Sequence, residues 1–174
     1  MMYVVDSSDS IELLQNFIES INGLRCWDFA PFMFDSIRVH FGNRNEYHTI
    51  VRKKPEIIYL GDVSLFSYDS DFNLLMNNEI ILSSNDDEWD KKIISINFPE
   101  DIIVETIVVY EDLRLSLNLS HGFVLDILPL INQVDVDTLY PSLPYWVIYS
   151  EKHMIEAGPD KIWSCRLEDD AKNL

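Results

Sequence analysis

The chain has 174 residues, 47% of them hydrophobic, and its 30 acidic and 13 basic residues give a formal net charge of −17. This length and apolar content predict one folded domain with a substantial core rather than a disordered acidic segment. The negative charge disfavours binding to nucleic acid or anionic lipid and favours basic partners.

Targeting signals and cysteine chemistry are both weak in this sequence. Its apolar runs are shorter than the ~18 residues that a membrane span needs, and Met1–Asp6 lacks the basic and apolar regions of a secretory signal. Cys26 and Cys165 are too few and too far apart for a disulfide framework or a metal knuckle. We therefore expect a cytoplasmic protein that does not contact membranes.

The first predicted element is a helix over Ser8–Asn22. Asp9 or Ser10 can cap its start, and Gly23 is placed to end it. Apolar residues recur at helical spacing along it, at Ile11, Leu14, Phe17, Ile18 and Ile21. This stripe is typical of a helix that packs on a sheet.

The rest of the chain predicts short strands separated by turns. The predicted hairpins are Phe32–Phe41, turning at Asp35-Ser36, and Ile57–Phe66, turning at Gly61-Asp62; single strands are predicted at Glu79–Ser83, Ile102–Tyr110, Leu113–Leu119, Phe123–Leu128, Tyr145–Ser150 and Met154–Glu156. Ile93–Phe98 fits a helix or a strand. The expected fold class is α+β, mostly antiparallel sheet with an N-terminal helix.

Two pairs of segments resemble each other in the same order along the chain. Phe32–Phe41 matches Val108–Leu117, with Arg38 opposite Arg114, and Pro55–Asp62 matches Pro144–Glu151. This order predicts two duplicated β-units within one domain, spanning residues 25–90 and 93–166 after the helix. Amphipathic hairpins also resemble one another by chance, and that alternative stays open.

Motifs for catalysis or metal binding are weak. The four histidines are scattered, and the sequence has no Gly-x-Ser-x-Gly nucleophile motif. Asp69-Ser70-Asp71 and Asp135-Val136-Asp137 have the Asp-x-Asp pattern that holds divalent ions in some transferases, but no phosphate-binding loop accompanies them. We expect no catalytic residue, no metal and no cofactor, and keep a metal-dependent enzyme as an alternative.

The most informative segment lies between Pro55 and Lys91, where nine acidic residues occur without any Lys or Arg. Aromatic residues and amides alternate with these acids, as in binding surfaces where apolar anchors are ringed by charge. The predicted partner-binding residues are Asp62, Asp69, Asp71, Phe72, Glu79, Asp86, Asp87, Glu88, Trp89 and Asp90. The competing interpretation is an acidic surface that serves solubility only.

The second half of the chain, over Glu105–Pro159, carries a resemblance to known proteins. A strand over Glu111–Leu119, a His121-Gly122 turn, a second strand to Leu125 and the Trp-bearing strand Tyr145–Tyr149 follow in order. With the acidity and the N-terminal helix, this pattern resembles the immunity proteins of bacterial toxin systems, such as those of contact-dependent growth inhibition. It also resembles an uncharacterised bacterial family found near such toxins.

The resemblance implies a protein that is not an enzyme and that neutralises a cognate toxin domain. That toxin is commonly a basic nuclease, whose active site or exosite the immunity protein covers with its acidic face. Two alternatives remain: a phage-type nucleic-acid mimic that inhibits a DNA-binding enzyme, and an adaptor without enzymatic activity. None of these functions involves direct nucleic-acid binding, and the oligomeric state stays open.

Overall fold

The computed structural model describes residues 3–33, 36–130, 143–159 and 162–167. The chain is mostly antiparallel sheet with an N-terminal helix, so the predicted α+β class is confirmed. The strands are β1 Tyr3–Asp6, β2 Cys26–Pro31, β3 Ile37–Phe41, β4 Asn45–Val51, β5 Lys54–Leu60, β6 Val63–Ser67, β7 Ser70–Met76, β8 Glu79–Ser83, β9 Val104–Val109, β10 Leu115–Leu119, β11 Phe123–Pro129, β12 Trp146–Ser150, β13 His153–Gly158 and β14 Ile162–Leu167. The helices are α1 Ser7–Ile18 and α2 Trp89–Ser95, with single 3-10 turns at Glu19–Ile21 and Ser120–Gly122.

The strands form three antiparallel sheets. A seven-stranded sheet has the order β1-β14-β13-β12-β6-β3-β2, and a five-stranded sheet has the order β8-β7-β11-β10-β9. The strands β4 and β5 pair only with each other and form a separate two-stranded ribbon, called here the β4–β5 ribbon.

Both large sheets follow one plan. The first half of the chain runs α1-β2-β3-β6-β7-β8, and the second half runs α2-β9-β10-β11-β12-β13. In each sheet a three-stranded meander from one half, β2-β3-β6 or β9-β10-β11, is extended by a hairpin from the other half, β12-β13 or β7-β8. The two halves therefore exchange hairpins, and each sheet contains strands of both.

Backbone hydrogen bonds also join equivalent segments of the two halves to each other. The segments after α1 and α2 meet in an antiparallel bridge between Arg25 and Ile103. Where the chain crosses between the sheets, the Tyr68 backbone N–H donates to the Tyr145 carbonyl at 2.9 Å, and the Leu130 N–H donates to the Asp69 carbonyl at 3.1 Å. These reciprocal bonds hold the two crossings side by side.

The predicted internal repeat agrees with this topology in one of its two parts. Phe32–Phe41 contains β3, and Val108–Leu117 contains the end of β9 and the start of β10; β3 and β10 have equivalent places in the two sheets. The match of Pro55–Asp62 with Pro144–Glu151 is wrong, because β5 lies in the separate ribbon and β12 lies inside the seven-stranded sheet. The topological counterpart of β12 is β7.

The predicted hairpin at Ile57–Phe66 is also wrong. β5 pairs with β4, whereas β6 pairs with β3 and β12. Gly61 lies between them against the backbone of Phe41, where a Cβ atom would collide with the carbonyl oxygen. The glycine therefore permits a close backbone crossing and does not form a hairpin turn.

The hydrophobic core is one cluster that draws on both large sheets and both helices. The predicted apolar stripe of α1 supplies the buried side chains Leu14, Ile18 and Ile21, with Ile11 and Phe17 packed beside them. The turn of 3-10 helix extends this stripe to Ile21, and Gly23, at φ +81°, ends the segment as predicted.

Side chains of the N-terminal segment also cover the edge of the five-stranded sheet. Gln15 donates to the Ile107 carbonyl at 2.8 Å and accepts from the Val109 N–H at 2.9 Å, while Asn22 accepts from the Ile107 N–H at 2.9 Å. These bonds satisfy the free edge of β9, which would otherwise be open to another strand. Among the described residues, neither helix has the length and apolar character that crossing a bilayer demands.

Candidate functional site

The predicted acidic residues occupy several separate places in the fold. Asp62 lies at the base of the β4–β5 ribbon, where it accepts hydrogen bonds from the Asn43 N–H at 2.8 Å and from the side chain of Asn45 at 2.9 Å. The bond from the Asn43 backbone, with those from the two amide side chains, lowers the pKa of Asp62 below its ordinary value. Asp62 therefore holds a turn together.

Two further acids are engaged in local hydrogen bonds. Asp71 on β7 accepts from the Ser84 hydroxyl at 3.0 Å, and Asp86 accepts from the Ser83 N–H at 3.0 Å. Asp69 lies where the chain crosses between the sheets, and Glu79 is exposed at the start of β8, beyond the far end of β7. The acids between Asp62 and Asp90 therefore lie at separate places in the fold and do not form one continuous acidic surface.

The predicted aromatic anchors are buried. Phe72 is 0% exposed and Trp89 is 5% exposed, and their rings meet edge to face with centroids 4.8 Å apart. Phe72 points inward because it alternates with Asp71 and Asn73 along β7, and Trp89 is the inward residue at the start of α2. Both side chains belong to the core, so the prediction that they anchor a partner on the surface is corrected.

What remains exposed is an acidic cluster at the start of α2, consisting of Asp86, Asp87, Glu88 and Asp90 and called here the α2 acidic cluster. Asp87, Glu88 and Asp90 are exposed and Asp86 is half-buried. Glu88 forms an ion pair with Lys91 within the same segment. Because the buried Trp89 and Ile93 fix the helix to the core, these carboxylates are held on a rigid support.

Metal-binding geometry is absent from the part of the chain that the structure describes. There, no group of three or more His, Cys, Asp or Glu side chains is placed to hold a metal ion. The Asp135–Asp137 pair lies outside the described residues. Cys26 and Cys165 are buried and free, and burial raises the pKa of both thiols, which makes them poor nucleophiles.

A concave region around Trp27 is a feature that the sequence did not indicate. Three clefts of about 320, 390 and 400 Å³ all include Trp27 in their lining. The guanidinium of Arg44 lies 4.1 Å from the Tyr59 ring centroid and 5.7 Å from that of Trp27, so it links the ribbon to β2 by cation–π contacts. Arg38 pairs with Asp28 at 2.8 Å, and Asp28 has φ +56° in a β-bulge.

His40 lies beneath these clefts and is 0% exposed. Its Nδ1 shares a hydrogen bond of 2.6 Å with the Ser64 hydroxyl, and its Nε2 lies 3.7 Å from the Asp28 carboxylate. Burial above all, and then the charge of Arg38, lower the pKa of His40 to about 4 against a smaller opposing effect of Asp28. A neutral, buried imidazole with so low a pKa is a weak general base. We therefore interpret the cluster of His40, Ser64, Asp28 and Arg38 as a support for the fold of β2, β3 and β6.

Comparison of this chain with protein families, with curated proteins and with solved structures found no match. The described fold is that of an acidic α+β chain whose two large antiparallel sheets each contain strands of both halves, with an acidic cluster at the start of α2 and a separate two-stranded ribbon.

Proposed function

We propose that this protein is a non-catalytic inhibitor of the immunity type, which neutralises a basic toxin domain, such as a nuclease, by covering its active site or an exosite. The observation that carries the proposal is the α2 acidic cluster. Of its exposed carboxylates, Asp87 and Glu88 lie in the turn that leads into α2 and Asp90 lies in the first turn of that helix, whose Trp89 and Ile93 are buried in the core.

The electrostatics of the chain support capture of a basic partner. A net charge of −17 attracts a cationic protein from a distance, and steered association of this kind can approach ~10⁸–10⁹ M⁻¹s⁻¹ at low salt. Rigid carboxylates lose little conformational freedom on binding. Fast capture suits an inhibitor that must reach a toxin before the toxin acts.

Two alternatives give different surfaces. A nucleic-acid mimic needs carboxylates spread along an extended surface at phosphate-like intervals, whereas the exposed acids of the α2 acidic cluster lie within one turn of chain and helix. An adaptor whose acidity serves only solubility would tolerate reversal of any exposed acid. The compact cluster favours one localised contact with a partner protein over mimicry of an extended nucleic-acid backbone.

The test is charge reversal at the cluster. The triple variant Asp87→Lys, Glu88→Lys, Asp90→Lys should weaken binding to the proposed partner, a basic toxin domain, and should slow association most at low salt. Surface-plasmon kinetics at several salt concentrations measure both effects, and we expect a loss of at least about tenfold in the association rate.

A matched control carries the same change of charge at a different place. Glu12, Glu105 and Glu111 are exposed acids outside the predicted stretch, and replacing all three by Lys should slow association much less. Equal effects of the two triple variants would indicate a purely global charge effect. Unchanged kinetics in the cluster variant would contradict the proposal.

A further inference from the structure

The β4–β5 ribbon is the least covered element of the described structure. Its strands pair with each other through seven residue pairs, from Asn45–Leu60 to Val51–Lys54, and with no other strand. Its exposed large apolar residues are Tyr47 41%, Ile50 75%, Val51 40%, Ile57 52%, Ile58 38% and Tyr59 39%. A two-stranded ribbon is marginal in water by itself, so such a surface is suited to packing against another molecule.

One face of the ribbon carries a compact apolar patch. The register sets Ile50 opposite Pro55 and His48 opposite Ile57, and side chains at alternate positions share a face. Towards the base, the same face has the pair Glu46–Tyr59, and Arg44 lies over the Tyr59 ring. The patch formed by Ile50, Pro55 and Ile57 therefore lies between a basic tip and an acidic base.

The tip of the ribbon carries basic residues in a backbone conformation that does not favour them. Arg52 and Lys53 have φ of 48° and 66°, the left-handed pair of a two-residue hairpin turn. The β7–β8 turn has the same conformation with Asn77 and Asn78, and Asn and Gly are the residues that tolerate it. With Lys54, the tip therefore presents three bases where turn geometry alone would select other residues.

Charge complementarity indicates what covers the ribbon. The tip of three bases belongs to a chain of net charge −17, so another copy of the chain offers it an acidic surface. At the base of the ribbon lie Glu46, whose side chain is 49% exposed and lies 2.9 Å from His48, and Asp62, with Arg44 over the Tyr59 ring, so these two acids and one base leave a net negative charge there. Seven residues of strand span ~23 Å, so an antiparallel packing of two ribbons sets each tip against the base of the other.

We propose that the β4–β5 ribbon is a dimerisation arm. Two copies pack their ribbons face to face and antiparallel, with the Ile50, Pro55 and Ile57 patches in contact and the Arg52–Lys53 turn of each copy beside Glu46 of the other. The arrangement is two-fold symmetric, so the same contacts form twice. It does not depend on the proposed inhibitory function, because the α2 acidic cluster uses other residues.

Sedimentation of the full chain over a concentration series tests the arm. We expect a concentration-dependent dimer at moderate ionic strength, where salt screens the repulsion between two chains of net charge −17 as well as the tip–base attraction. Ile50→Lys with Ile57→Lys should raise the dimer dissociation constant by at least about a hundredfold, and charge reversal of Arg52, Lys53 and Lys54 to Glu by at least about tenfold. Ile94→Lys is the control, since Ile94 on α2 is equally exposed at 75% and should leave the dimer intact.

Engineered cysteines test the antiparallel arrangement, because the native Cys26 and Cys165 are buried. Lys53→Cys and Glu46→Cys lie at opposite ends of the ribbon, too far apart to join within one chain. A mixture of the two variants should form disulfide-linked heterodimers under mild oxidation, whereas Lys53→Cys by itself should not form homodimers.

Three results would overturn the inference. The first is a chain that sediments as a monomer up to its solubility limit at both low and moderate ionic strength. The second is a dimer that Ile94→Lys disrupts as strongly as the ribbon variant does. The third is a monomer whose tip instead binds a duplex DNA oligonucleotide or an acidic protein, with binding lost on reversal of the tip charges.

Discussion

His40 shows how a polar residue is held in this core. It faces Ser64 across β3 and β6, and Ser116 faces Asp126 across β10 and β11 with a hydrogen bond of 2.6 Å. The two pairs occupy equivalent strands of the two sheets. Each pair satisfies hydrogen-bonding atoms of its own members, although the buried Nε2 of His40 has no hydrogen-bond partner.

The lowered pKa of His40 predicts a pH dependence of stability. The folded protein keeps His40 neutral down to about pH 4, whereas the unfolded chain takes up the proton below about its ordinary pKa of 6.5. The unfolded state therefore binds more protons between these values, and the contribution of His40 to stability falls as the pH is lowered through that window.

The comparison variant is His40→Gln, which can still bond to Ser64 but does not titrate. The stability advantage of the native chain over this variant, measured by urea unfolding, should shrink as the pH is lowered from 7 towards 4. The His40 ring resonances should titrate with a midpoint near 4. A midpoint near the ordinary value with a constant stability difference would contradict this interpretation.

At the scale of single residues, the sequence pattern predicts Phe72 and Trp89 on the surface, because only their neighbours along the chain enter that prediction. Acids and amides on both sides suggested exposure. In the fold, strand alternation turns Phe72 inward, and the contact that buries it comes from Trp89, seventeen positions away in the chain. Burial depends on that partner and not on the local composition.

At the scale of elements, the β4–β5 ribbon is where local sequence preference and structure disagree. β4 was not predicted, because Asn45–Val51 mixes polar and apolar residues without a buried face. The pattern Gly61-Asp62 is typical of a turn and therefore predicts a hairpin of β5 with β6. The ribbon has no core-facing side to impose a period of two on its sequence.

The ribbon turn predicts a stabilising substitution. Arg52→Asn with Lys53→Gly should stabilise the ribbon by ~1 kcal/mol, because both residues accept positive φ at lower cost. Native-state hydrogen exchange of β4 and β5 amides measures this local effect. The same variant should weaken the dimer, since it removes two of the three tip bases.

The control for this substitution is Asn78→Gly in the β7–β8 turn, where Asn already suits a φ of 66°. Its effect on exchange should be small. If the Asn-Gly variant left protection of the ribbon unchanged, the Arg-Lys pair would impose no measurable strain on the turn.

At the scale of the whole molecule, the exchange of hairpins makes the two halves depend on each other. The strand β6 is paired with β12, and β7 is paired with β11, so each sheet is incomplete without the other half. The core is likewise one cluster that both halves fill. Folding of either half therefore requires strand pairing across long sequence separations.

Separation of the halves tests this dependence. Fragments 1–85 and 86–174, divided at the exposed Asn85 between β8 and α2, should each lack cooperative unfolding and dispersed NMR spectra. Mixing them should restore both. Cooperative unfolding of one fragment by itself would show that its sheet does not need the exchanged hairpin.

The sequence by itself determined the properties that depend on local pattern and composition. These are the α+β class, the apolar stripe and end of α1, most strands of the second half and the net negative charge. The tertiary structure decided which acids remain exposed, where Phe72 and Trp89 go and how the two halves interlock. Those outcomes follow from which strands pair across the chain, and such pairing is set by packing between distant segments that no local window of sequence contains.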